Sequence, residues 1–288
     1  MERALVLGGG GSTGNAWLIG VVAGLAADGV DPLDAELIIG TSAGATAAAQ
    51  LTAADPAELF AEVCVDPPAF PRGRPAKPPS AEVADALSAT GAIIADSRDA
   101  ADMRRRMGAR SLALAADSRT ASTRWREIVA ARLPKPDWPE TRMLITAMNA
   151  RTGDPAVFDR LSGVPLVDAV AASCSSGAAY PIGGEAYTDG GYRSNADNAD
   201  LAAGSARVLV LSPFSGRTRT PEEWGLHLAA QVDELWRGGS RVETVFPPPE
   251  VDHLFGMNAM NPALRPAAAR AGYAQGRALA DALAGFWN

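Results

Sequence analysis

The sequence predicts an α/β domain whose first strands pair in parallel. Three observations carry this. Short apolar runs stop at glycine, strand and helix signals alternate over about the first fifty residues, and no internal repeat or clean linker interrupts the chain. Residues 4–7 are apolar and run into Gly8, which reads as a strand buried on both faces. Residues 14–27 are apolar almost all round and read as a buried helix. Residues 36–40 read as a second short strand. Residues 43–53, mostly alanine, read as a helix able to lie close against a sheet.

The middle of the chain differs. Residues 66–80 are proline-rich and exclude a helix interior or a central strand. Residues 80–89, 97–116 and 122–133 read as helices, with Ser80 and Ser122 at N-cap positions. Residues 66–140 are thus either a helical insertion capping the sheet or ordinary flanking helices. Further strands are expected at 142–148, 156–158, 207–211 and 241–246. Helices are expected at 166–172 and at 221–236, the latter with Pro221 in its first turn, and a long amphipathic helix at 262–286 should pack on the body. One domain over residues 1–288 is the simplest account.

Composition narrows the function classes. Hydrophobic residues make up 47% of the chain, too many for long disorder. The formal charge is −7, from 26 basic and 33 acidic residues, which argues against general nucleic-acid binding. Arg104, Arg105 and Arg106 form one local basic run, read as a solvated helix face. Cys64 and Cys174 are too few for a disulfide scaffold or a four-thiolate zinc site. They are expected to be buried, inert thiols in a reducing compartment. No uncharged apolar run reaches the roughly 20 residues of a membrane span, and the apolar start is too short for a signal sequence. A cytoplasmic protein is the expectation.

Three segments carry chemistry. Gly8-Gly9-Gly10-Gly11-Ser12-Thr13-Gly14 follows a strand and opens a helix. Backbone N–H groups there face outward with a favourable helix dipole, so the loop suits a phosphate or the oxyanion of acyl transfer. From Gly9 it also satisfies the dinucleotide fingerprint G-x-G-x-x-G. Gly40-Thr41-Ser42-Ala43-Gly44 is a G-x-S-x-G between strand and helix, the setting of a nucleophile elbow. Small neighbours let the serine project from the sheet edge, with the Ala43 amide near its oxyanion. The same serine also fits a helix N-cap. A serine hydroxyl needs a base. His227 and His253 are the histidines, and both read more simply as surface or satisfied side chains. Asp189, in Thr188-Asp189-Gly190-Gly191, is an alternative base, although D-G also marks a tight turn.

Taken together, the ordered set resembles the patatin-like phospholipase family. The similarity is close over residues 5–25, 37–48 and 171–195, where Ala171-Ala172-Ser173-Cys174, Tyr180-Pro181-Ile182, Asp189-Gly190-Gly191 and Asn195 look like the family's A-S-x-A, P-P, D-G-G and N stretch. The resemblance implies a three-layer α/β/α fold with a mainly parallel central sheet. It implies a serine–aspartate dyad that needs no histidine, metal or cofactor, with Ser42 as nucleophile and Asp189 as general base. Gly9, Gly10 and Gly11, with Ala43, would supply oxyanion-hole amides, and Gly14, Gly40, Gly44, Gly190 and Gly191 would support the motifs. The implied reaction is hydrolysis of a lipid or other acyl ester, with transient contact at a membrane surface. Thr13 stands where the family usually has Lys or Arg, and the second proline of P-P is absent. Two other readings stay open: a nucleotide-binding oxidoreductase module, which lacks an acid at the end of the second strand, and an inactive relative that binds without catalysis.

Overall fold

The computed structural model describes residues 2–65, 81–116 and 121–287. The chain begins with β1 (Arg3–Leu7), α1 (Gly11–Ala27), β2 (Leu37–Gly40), α2 (Ala43–Leu51) and α3 (Pro56–Cys64). Three helices follow, α4 (Ala81–Asp96), α5 (Ala100–Ala116) and α6 (Ala121–Ala130). Then come β3 (Arg142–Asn149), β4 (Pro155–Phe158), α7 (Leu166–Ser173), β5 (Tyr180–Ile182) and β6 (Glu185–Asp189). The chain closes with β7 (Arg207–Leu211), α8 (Leu228–Arg237), β8 (Arg241–Val245) and α9 (Arg265–Trp287).

The strands form one mixed sheet in the order β5-β6-β3-β2-β1-β7-β8, with β4 also on β3. From β3 to β8 the pairings are parallel, and β4, β5 and β6 add antiparallel pairs at one end. Side chains alternate across a strand, and both faces are apolar. Leu5, Leu7, Ile38, Leu209 and Leu211 join one core with residues of α1, α2, α7 and α9. Ala4, Val6, Ile39, Val208 and Val210 join a second core with Leu228, Val232 and Leu235 of α8. A mostly parallel sheet flanked by helices is the patatin-like α/β/α arrangement that the motifs implied.

Helix α1 is buried from Thr13 to Leu25, on every side. Its outer cover is α9, which lies against it at backbone distance. A Cβ added at Gly20 or Gly24 would run into the carbonyls of Ala269 or Tyr273, and one at Gly272 or Gly276 into those of Trp17 or Val21. Side chains at these positions would force the helices apart.

Several elements differ from expectation. Helix α1 starts at Gly11, so Ser12 and Thr13 belong to its first turn rather than to a loop. Helix α3 was not anticipated, although Asp55 caps it by accepting from the Ala57 and Glu58 amides and Pro56 occupies its first turn. The helix expected at 221–236 is broken. A short turn over Glu222–Trp224 stops at Gly225, with φ 65°, and α8 begins only at Leu228. Ser122 lies inside the first turn of α6, which begins at Ala121. The Arg104–Arg106 run is not one solvated face. Arg105 and Arg106 pair with Asp102, while Arg104 turns inward and donates to the Arg193 carbonyl at 3.3 Å. Cys64 and Cys174 are half-buried rather than buried. The proline-rich stretch at 66–80, with Ser80, lies outside the described residues. Among the described residues, no helix is long and apolar enough to cross a membrane.

Candidate active site

Strand β2 ends at Gly40, and the chain reverses through Thr41 and Ser42 into α2. Ser42 holds φ 52° and ψ −114°. A side chain pays about 1–3 kcal/mol for such a conformation, so the surroundings must enforce it. The turn fits because Gly44 has no side chain: a Cβ there would strike the Leu7 carbonyl at the end of β1. The Ser42 N–H donates to Ser173 Oγ at 2.9 Å, and the Cys174 thiol donates to the Ser42 carbonyl at 3.0 Å.

Sheet register places Asp189 near the end of β2. Gly40, the last residue of β2, pairs with Ile145 of β3, two residues before Ala147. Asp189 ends β6 and pairs with Ala147 in the antiparallel direction. It therefore closes a strand; the alternative of a tight hairpin turn at D-G-G is not what forms. Asp189 is 7% exposed. Burial raises its carboxyl to about 6, against the Gly191 amide and the Ser42 side chain, which favour the charged form. The Gly191 bond is 2.8 Å long. Gly190 is pressed against Thr146 of β3, where no Cβ would fit.

A buried polar network that sequence reasoning missed lies beside the pair. Asn198, with φ 54°, is fully buried. Its Nδ2 donates to Thr41 Oγ1, to the Gly190 carbonyl and to the Asn195 carbonyl, each at 3.0 Å. Its Oδ1 accepts from Arg193, which also forms a bidentate pair with Asp200. Thr146 Oγ1 donates to Thr41 Oγ1 at 2.9 Å. Asn198 thus ties the residue before Ser42 to the residue after Asp189. The signal in the sequence was a polar run, Asn195 to Asp200, without the charge density of a solvated loop.

The glycine-rich loop flanks the serine. A Cβ on Gly9 would stand 3.5 Å from the Ser42 Cβ. Gly9 is nonetheless not a free donor, because its N–H is held by the Ala196 carbonyl at 2.7 Å. That hydrogen bond removes it from the expected oxyanion set. Among the described residues, the amides of Gly10, Gly11 and Ala43 have no acceptor, as the first turns of helices require. Gly14 donates to the Gly10 carbonyl at 2.9 Å. Thr13 is buried; its amide donates to the Ala259 carbonyl at 3.0 Å and its hydroxyl to the same carbonyl at 3.5 Å. Arg265 of α9 brings a cation to this turn, donating to the Ser12 carbonyl at 2.8 Å and to Asn15 Oδ1 at 3.0 Å.

Neither histidine joins the pair. His227 Nε2 contacts the Thr220 carbonyl at 2.9 Å and His253 Nδ1 the Glu250 carbonyl at 3.2 Å. A cavity of about 810 Å³ opens between α5, α6 and residues 174–181, with Leu112, Trp125 and Ile128 among its walls. Ser42 and Asp189 do not line it, but Cys174, bonded to the Ser42 carbonyl, does. Met257 and Met260 do not line this cavity. Both methionines are exposed, and Met260 Sδ approaches Gly11.

The sequence matches the patatin-like phospholipase family over residues 5–202. The chain belongs to that family. A search of curated proteins finds no match. Patatin-like phospholipases are generally hydrolases with a serine–aspartate dyad, and membership points to lipid acyl hydrolysis. The match ends before β7, α8, β8 and α9, yet β7 and β8 extend the patatin-like sheet and α9 covers the helix that opens from the glycine loop.

One more buried acid lies next to the patatin-like loop. Asp197 is 2% exposed and its Oδ1, set against Gly8, has no hydrogen-bond partner among the described residues. Burial pushes its carboxyl up to about 7, opposed by the Ser212 hydroxyl. A folded value above the unfolded one means that stability is greatest below about pH 4 and falls as pH rises toward 7. We predict that Asp197→Asn raises stability by roughly 2–4 kcal/mol at pH 8, with the gain shrinking toward pH 4. Urea denaturation at both pH values checks this; an equal gain at each would defeat it.

Proposed function

We propose that this protein is a serine esterase that hydrolyses lipid acyl esters through a Ser42–Asp189 dyad. The observation that carries the reading is a strained serine beside a buried acid: Ser42 holds positive φ, and Asp189, whose charged form the Ser42 side chain favours, has a carboxyl raised by burial to about 6, which suits a base near neutral pH. In this reaction Ser42 Oγ attacks the ester carbonyl carbon and its proton passes to Asp189. The oxyanion is held by the amides of Gly10, Gly11 and Ala43, donors aimed before the charge develops. The tetrahedral intermediate collapses, the C–O bond to the alcohol breaks, and Asp189 returns the proton to the leaving oxygen. Water, deprotonated by the same carboxylate, then attacks the acyl-enzyme. The acid leaves, and Ser42 recovers its proton.

Family membership supports a lipid substrate. The apolar cavity beside Cys174 offers room for an acyl chain, and Met257 and Met260 suit a weak apolar contact with a lipid surface. A nucleotide reading is less well supported, because β2 ends at Ile38-Ile39-Gly40 with no acid for a ribose. The test is a fluorophosphonate probe followed by peptide mapping. The adduct is expected on Ser42 and nowhere else. An unlabelled chain, or an adduct on another serine, would refute the assignment.

A further inference from the structure

Helix α7 ends in Ser173, and its last turn passes directly beneath the elbow. Ser42 sits at positive φ, so its own amide is outside any regular hydrogen-bond ladder. Its acceptor is the Ser173 hydroxyl, 2.9 Å away on a side chain with no exposed surface. The Ser42 carbonyl accepts twice, from the Thr46 amide at 3.2 Å in α2 and from the Cys174 thiol at 3.0 Å. The next residue serves the acid. The Ser175 carbonyl accepts from the Asp189 amide at 3.0 Å and from Thr188 Oγ1 at 2.7 Å, and Ser175 Oγ is anchored back on the Ala171 carbonyl. Three consecutive residues therefore grip the main chain of Ser42 on one side and of Asp189 on the other.

This arrangement does something the sheet alone does not. Register fixes Asp189 and the end of β2, but Ser42 has already left β2 and its orientation is free to change with φ. A buried N–H that lost its acceptor would rotate to find another, and the hydroxyl would swing with it.

We propose that Ser173 is a positioning residue for the dyad, holding Ser42 in its strained conformation so that Oγ faces Asp189, with the Cys174 thiol bracing the carbonyl side. The inference rests on the Ser42–Asp189 reading above. Ser173 touches neither substrate nor reacting atoms; it acts through the Ser42 backbone.

The experiment uses the full chain and p-nitrophenyl butyrate. Ser173→Ala should lower kcat about 10–100-fold, the cost of a small misplacement of a reacting group, while KM stays within about twofold. The acid limb of the pH–rate profile should also move to higher pH. The Ser42 side chain favours charged Asp189, so moving it away raises the carboxyl. A role confined to stability would lower Tm and leave that limb in place. Cys174→Ala should show the same two changes more weakly, and Cys174→Ser, which keeps a donor, should restore both. Should Ser173→Ala be insoluble, Ser173→Cys, a weaker acceptor of similar size, reads the same quantities. Unchanged kcat and an unmoved acid limb in the Ser173 variant would overturn the proposal. If Ser42→Ala retains full activity, the dyad reading fails first. If Ser42→Ala is inactive while the Ser173 and Cys174 variants behave as wild type, only the positioning role falls.

Discussion

Ser42→Ala should cost at least about 10⁴-fold in kcat against p-nitrophenyl butyrate, as loss of a nucleophile does in serine hydrolases generally. It should leave the fold intact. Alanine at φ 52° keeps the strain that serine bears, so Tm should barely move. Ser42→Gly is the informative companion. Glycine occupies positive φ without the Cβ clash, and relief of that strain should raise stability by about 1 kcal/mol, although glycine's extra freedom when unfolded offsets part of the gain. An inactive protein more stable than its parent is the signature of a strained nucleophile. Matched kinetics and urea melts on the three proteins read both effects. Residual activity near wild type in Ser42→Ala would remove the serine from the mechanism.

Asp189 should set the lower limb of the pH profile. Its carboxyl is raised to about 6 by burial, and the base form is the charged one. kcat/KM for the same ester should therefore climb about tenfold per pH unit below 6 and level off above about 7. Asp189→Asn cannot accept the serine proton and should lose roughly 10²–10⁴-fold, with the acid limb gone from whatever activity remains. Stability should move the other way. Because the folded value lies above the unfolded one, charging Asp189 weakens the native state as pH rises from about 4 to 6. The Asn variant escapes this and should be more stable by about 2–3 kcal/mol at pH 8. A flat wild-type profile from pH 5 to pH 7 would show that another group is the base.

The parts of this site that sequence reasoning reached are those written locally. Gly40 to Gly44 reads as an elbow because a strand must end, turn sharply and start a helix within five residues, and few side chains allow that. The glycine loop reads as an anion site for the same reason. What escaped depends on distant parts of the chain. Ser173 meets the Ser42 amide across 131 positions and Asn198 meets Thr41 across 157, and nothing in their neighbours' spacing signals either contact. The Gly9 amide is taken by the carbonyl of Ala196, a residue distant in sequence that lies between β6 and β7. The β5–β6 hairpin escaped for a different reason. Its strands are short, at three and five residues, and the turn between them uses Gly183 and Gly184, both at positive φ. Helix α3, by contrast, carries a local signal in Asp55-Pro56, a capping side chain followed by a proline suited to a first turn.

The close fit of α9 on α1 bears on how the protein matures. Helix α1, apolar on every side, is synthesised well before α9, which covers it. While translation is under way, that surface is open to water and to other nascent chains, the circumstance in which holding chaperones engage. The loop that would cradle an oxyanion springs from the same helix, so catalytic competence should appear abruptly, once α9 has been made and has docked, rather than grow as the polypeptide lengthens.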